Sequence, residues 1–266
     1  MSKNSNWTRE QHILAFHLYN QIPFGKIHTG NPQVQELAEL IGRTVNAVSL
    51  KLVNFARLDP VLQKRNIKGM SHGAKGEEDI WAEFSDHPEA LALESERILA
   101  ERLGRPMEEV AEIETSDLPP SGVERDAIVK VRVNQSFFRR RILSAYDFSC
   151  CVTGLASRPL LTASHIVPWA EDVKNRLNPK NGLCLNALHD RAFDRYLMWV
   201  DENSLIRFAP SLHERNSTKS TRPDGWLTQF EGQPLRLPKK FSPDPEFLKW
   251  HAAKCLAKEK SVNVRL

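Results

Sequence analysis

The sequence predicts an α+β protein, with a helical amino-terminal module followed by a carboxy-terminal domain of short strands and a short helix. Three observations carry this expectation. Apolar residues recur at helical spacing through the first 59 positions. Residues 77–115 are rich in Glu, Ala and Leu, and beyond residue 150 the apolar residues come in short runs broken by Pro, Gly and Asn. A chain of 266 residues is long enough to bury one large core or two smaller ones.

Taken in order, Thr8 is placed to cap a first helix carrying Ile13, Leu14, Phe16, His17 and Leu18. A loop through Pro23, Gly25, Gly30 and Pro32 follows. Gln33 to Ile41 sets Val34, Leu37, Ala38 and Ile41 on one face. After Gly42-Arg43-Thr44, the stretch Val45 to Phe55 does the same with Val45, Val48, Leu52 and Phe55, capped by Thr44. Residues 60–76, with three glycines and four basic side chains, predict an exposed linker. Residues 77–115 predict one or two solvated helices, and Asp117 to Gly122, with Pro119-Pro120, a second linker. The expected division is therefore 1–59, a connector at 60–120, and a domain at 121–266. In that domain Ile128 to Tyr146 reads as a basic amphipathic helix bearing Arg139-Arg140-Arg141. Apolar runs follow at 150–153, 160–166 and 183–185, with short helices predicted at 189–197 and 245–258.

Charge is unevenly distributed. Residues 1–70 carry nine basic and four acidic side chains, residues 71–126 five and sixteen, and residues 127–266 twenty-three and thirteen. Two basic blocks thus flank an acidic one, and either could face a polyanion. No apolar run is long enough to span a bilayer, and the polar start has no signal-peptide core behind it, so a cytoplasmic protein is expected. The cysteines at 150, 151, 184 and 255 form no C-x-x-C pair, which points to reduced thiols rather than structural zinc.

The segment that carries chemistry runs from Leu160 to Asp194. An apolar strand ends in His165, Pro168 and a polar loop turn the chain, and Asn181 opens a second strand that leads into a helix. Hydrolysis of a phosphodiester needs a base for water, which a neutral imidazole supplies near neutral pH. It also needs a cation to stabilise charge on the phosphate and leaving oxygen. Asp190 and Asp194 stand four apart, on one helix face, and their oxygens suit Mg²⁺ or Mn²⁺ better than zinc. Asn181 can pin the loop through side-chain bonds to the backbone.

The residues Ala163-Ser-His-Ile-Val-Pro-Trp169, Asn181-Gly-Leu-Cys-Leu185 and Phe193-Asp-Arg195 resemble the HNH (His-Me finger) endonucleases, in particular their restriction-enzyme-like branch. Phe137-Phe138-Arg139, Leu143, Tyr146, Cys151 and Thr153-Gly154 are similar to that branch's lead-in. The resemblance covers about residues 130–200 and implies a ββα-metal core, at about 150–197, with His165 as general base and Asn181 as the loop-orienting residue. It also implies a divalent metal, for which Asp190 and Asp194 are the favoured ligands, His189 the rival, and Ser164 stands where many members carry an acidic residue or histidine.

Leu37 to Phe55 resembles a helix-turn-helix, whose second helix would offer Arg43, Asn46, Ser49 and Lys51, with Asn54, to DNA. Arg139 and Arg140, and Arg191 and Arg195 beside the proposed ligands, are further candidates for phosphate contact. Together these features predict a metal-dependent endonuclease acting on double-stranded DNA, of restriction-type defence function. One such site handles one strand at a time, so a double-strand cutter would be a homodimer. The alternative is a DNA-binding regulator that keeps an HNH fold with impaired catalysis, an alternative that rests on Ser164.

Overall fold

The computed structural model describes residues 6–64, 75–214, 225–238 and 240–263. Two compact units divide the chain, Met1–Ser144 and Ala145–Leu266.

The first unit is helical: α1 (Arg9–Gln21), α2 (Pro32–Ile41), α3 (Val45–Leu58), α4 (Pro60–Lys64), α5 (Lys75–Phe84), α6 (Pro88–Leu103), α7 (Met107–Val110) and α8 (Val123–Ala145). Thr8 and Gln11 form a reciprocal capping box at the start of α1. Every residue from Gln11 to Asn20 is buried, because α1 is the axis on which α2, α3, α5 and α6 pack. Helix α2 starts on the Asn31 cap and ends at Gly42, whose φ of 66° is the left-handed stop that glycine adopts without strain. Thr44 then caps α3, so α2 and α3 are joined by the short Gly42-Arg43-Thr44 turn.

The acidic stretch is less solvated than expected. Helix α5 buries Ile80 and Phe84, and α6 buries Leu91, Ala92 and Ile98. Two carboxylates go in with them, and each meets a cation. Glu77 pairs with Lys51 and Glu96 pairs with Arg140. On the surface Arg9 pairs with Glu83, Arg57 with Glu78 and Arg102 with Glu10. Within this unit the acidic block thus pairs with Arg9, Lys51 and Arg57 of the basic one. Residues 65–74 of the linker expected at 60–76 lie outside the described residues, and its first residues form α4 instead of loop.

The proline-rich segment at 117–122 lies inside the first unit, and the unit runs on to Ser144. Packing explains this. From α8, Phe137 stacks on His17 of α1 with ring centroids 5.5 Å apart, and Arg140 reaches Glu96. Arg141 is buried beside Asp59 and Tyr19, and burial holds its pKa down at about 10. The second half of the basic helix thus packs inward, while Arg139 stays exposed.

In the second unit β1 (Leu161–His165) pairs antiparallel with β2 (Gly182–Asn186), and α9 (Ala187–Asp194) follows at once. A small hairpin of β3 (Met198–Val200) and β4 (Ile206–Phe208) comes next, then α10 (Ser211–Glu214), α11 (Gly225–Thr228) and α12 (Pro245–Asn263). The register places Ser164 opposite Leu183 and His165 opposite Gly182. Strand β2 is buried throughout, so it forms the floor of this unit. The four cysteines are buried thiols, with no disulfide among the described residues. No helix among the described residues is long and apolar enough to cross a membrane.

Candidate functional site

The site grows out of the β1–loop–β2–α9 segment, and its shape depends first on Asn181. This side chain is fully buried. Its Oδ1 accepts from the Val167 amide at 2.8 Å, and its Nδ2 donates to the carbonyls of Val167 at 3.0 Å and Asn175 at 3.2 Å. Three bonds from one amide hold both ends of the long loop against β2, so His165 leaves β1 in a fixed direction.

His165 is half-buried. Its Nε2 lies 2.8 Å from the Arg176 carbonyl, which can only accept, so Nε2 carries the proton and Nδ1 carries the lone pair. Burial lowers the imidazole pKa from its ordinary value, and the Arg176 carbonyl opposes this in part. The ring is therefore neutral near neutral pH. Trp169 meets it edge-on at 5.5 Å, and Arg176 lies over the Trp169 ring while donating to the Trp169 carbonyl at 2.7 Å. The loop folds on itself around that indole.

Across from β1, α9 is capped by Asn186, whose Oδ1 accepts from the amides of Leu188 and His189. The helix presents Asp190 and Asp194 to a cleft of about 420 Å³ that is also lined by Thr162, Ser164, His165 and Trp169. The Asp194 carboxyl is pushed above its usual pKa by burial and by the charge of Asp190, with Arg191 and Arg195 pulling the other way. Ser164 is buried, and its Oγ has no hydrogen-bond partner among the described residues.

Among the described residues no three His, Cys, Asp or Glu side chains gather into a metal cage. Two carboxylates and a hydroxyl on one cleft nevertheless fit a hard dication that keeps several waters and takes a phosphate oxygen. A carboxyl whose proton affinity is raised by burial and by a neighbouring carboxylate, as at Asp194, is one that a cation would stabilise.

The structure brings together Ser164, His165, Asp190 and Asp194, with Asn181 behind them. It does not bring His189 there. That ring is fully buried and points away from the cleft, with Nδ1 3.0 Å from Asn186 Oδ1 and its ring tilted against Phe208 and edge-on to Phe230. Arg191 and Arg195 are exposed beside the carboxylates.

The first-unit candidates divide. Asn46 is exposed and Ser49 half-buried on α3. Lys51, expected to face DNA, is instead buried, paired with Glu77, 3.2 Å from His12 Nε2 and over the Trp7 ring. Asn54 is buried beside it and donates to Glu77 at 3.2 Å. Arg43 donates to Gln11 Oε1 at 2.8 Å and to the Asn6 carbonyl at 2.8 Å, and lies over Trp7. Arg140 is likewise committed to Glu96, whereas Arg139 is exposed. Partners distant in sequence turned these cations inward, and helical periodicity alone does not show them.

The family model described as HNH endonuclease matches residues 150–201, which contain β1, the Asn181 loop, β2, α9 and β3. This segment is an HNH endonuclease domain. The protein is accordingly a nuclease. No curated protein matches the chain.

Two residues of the HNH cleft escaped the sequence reading, Tyr196 and His251. His251 comes from α12 and stacks flat on Phe193, with centroids 3.6 Å apart, and its Nε2 donates to the Phe193 carbonyl at 3.1 Å. One and two turns further along α12, Cys255 reaches the Met198 carbonyl and Lys258 the Arg195 carbonyl. One face of α12 therefore clasps the end of α9 and holds Asp194 in place. No local pattern announces this, because more than fifty residues separate the partners.

Proposed function

We propose that the HNH domain is a metal-dependent DNA endonuclease in which His165 is the general base. The observation that carries this reading is the juxtaposition, in one cleft, of a neutral imidazole with a fixed tautomer and two carboxylates on a facing helix. Nδ1 of His165 takes a proton from water as that water attacks phosphorus. The Arg176 carbonyl holds Nε2–H and favours the imidazolium that forms. Asp190 and Asp194, with Ser164 directly or through water, would hold Mg²⁺ or Mn²⁺. Such an ion, when bound, supplies positive charge to the phosphate and the leaving oxygen. Asn181 keeps the base and the carboxylates in register. The exposed Arg191 and Arg195 contact backbone phosphates flanking the cut.

The first unit reads DNA through the exposed side of α3, with Asn46 and Ser49, supported by Arg139. A nuclease attached to its own DNA-reading module fits a restriction-type defence enzyme. The test is incubation of plasmid and phage DNA, unmodified and methylated, with wild type and His165→Ala in Mg²⁺ or Mn²⁺. Wild type cuts and the variant loses at least about a hundredfold, the scale of removing a general base. Equal cutting by the variant rejects His165 as base. DNA binding without cleavage of any substrate would make the protein a regulator with an inactive HNH fold.

A further inference from the structure

Tyr196 occupies a backbone position that disfavours it. Helix α9 ends in a Schellman turn, in which the Leu197 amide donates to Ala192 and the Tyr196 amide to Phe193, both at 2.8 Å. Tyr196 is the left-handed residue of that turn, with φ at 55°. Glycine is the usual occupant, since any Cβ there is crowded and a bulky residue more so. The chain therefore carries a strained aromatic residue where a glycine would close the same turn without cost. Such strain, when it lies at a site, points to a side chain kept for what it does.

The side chain belongs to the wall of the nuclease cleft, with Asp190, Asp194 and His165. It is half-buried and its ring is set against His251, with centroids 5.2 Å apart and planes tilted by 39°. An ordinary tyrosine phenol ionises at about pH 10. It stays protonated at neutral pH and offers a hydrogen. Asp190 and Asp194, on the same side of the cleft, are acceptors only when ionised, so they have nothing to donate to a phosphate.

We propose that Tyr196 is a substrate-contacting residue of the nuclease site, donating its phenolic hydrogen to a phosphate oxygen of the DNA strand bound beside Asp194. This rests on the reading of the cleft as a DNA-cutting site. The experiment compares wild type, Tyr196→Phe and Tyr196→Gly in cleavage of a duplex oligonucleotide, in melting temperature, and in binding of the same duplex within a His165→Ala background. Tyr196→Phe should lose about tenfold or more in kcat/KM, the scale of one hydrogen bond to a charged group, with an unchanged melting temperature. Tyr196→Gly should lose at least as much activity while melting no lower than wild type, a combination that a purely structural tyrosine does not produce. In the His165→Ala background both changes should weaken binding. If both variants cut and bind like wild type, the proposal is overturned. If Tyr196→Phe is unaffected and Tyr196→Gly is impaired, the phosphate contact is also overturned, and the ring face is what matters. Failure of the wild type to cut would reject the nuclease reading instead, and the binding arm still decides the role of Tyr196.

Discussion

His251 should make the second unit sensitive to acid, and His251→Phe should remove that sensitivity. The imidazole is buried between Phe193 and Tyr196, and burial lowers its pKa to about 4 from an ordinary 6.5. Between those values the unfolded chain binds a proton that the folded chain refuses. Stability is then complete above the unfolded pKa and is lost as pH falls towards the folded one. From about pH 7 to about pH 5 the unfolded imidazole gains its proton over roughly 1.5 units, which costs the folded wild type about 2 kcal/mol. Phenylalanine keeps a ring on Phe193 and has nothing to titrate. The Phe193 carbonyl loses the imidazole but still accepts from the Tyr196 amide. The assay is urea unfolding of both proteins at the two pH values. Other histidines, such as the buried His17, are common to both and cancel in the difference. The wild-type advantage should shrink by about 2 kcal/mol on acidification. A difference that is the same at both pH values would refute the argument.

Other outcomes follow from named contacts. Lys51→Ala strands the buried Glu77 and should cost about 3–5 kcal/mol of stability in denaturant melts, as broken buried ion pairs do, whereas a phosphate-contacting lysine would leave stability unchanged. Asn46→Ala, at an exposed position, should leave the melt unchanged and weaken DNA binding in a gel-shift titration. Asn181→Ala removes three hydrogen bonds from a buried amide and should cost about 2–4 kcal/mol while depressing cleavage. Asp190→Ala should abolish Mn²⁺ binding measured by calorimetry, and His189→Asn should leave it measurable, because Asp190 lines the cleft and His189 does not.

The parts of this protein that were legible in the sequence are those built from neighbours in the chain. Thr8, Thr44 and Gly42 mark helix ends through bonds spanning only a few residues. The β1–loop–β2–α9 segment is also local, which is why its strands, its helix and the placing of Asp190 and Asp194 on one helix face are legible. Lys51 and Arg140 were misplaced on DNA-facing surfaces because their counter-ions lie 26 and 44 residues away. Those counter-ions belong to the stretch that composition alone marks as solvated. Tyr196 was read as the end of a helix, since a left-handed turn without glycine leaves no sign in the sequence. His251 depends on α12 folding back across the whole unit.

The internal pairing of the first unit's cations has a consequence for DNA binding in salt. A lysine or arginine already matched to a carboxylate displaces no condensed counterions from the duplex, so it adds little to the entropy that drives association. Each phosphate neutralised contributes a slope of about −0.9 to the plot of log affinity against log salt. Lys51 and Arg140 drop out of that sum, while Asn46 and Ser49 never entered it. A protein that looks strongly basic in two of its three blocks should thus bind with a shallower salt dependence than its count of basic residues suggests, set by cations that stay exposed, such as Arg139, Arg191 and Arg195. Discrimination among sequences would then fall to base-edge contacts rather than to the ion atmosphere.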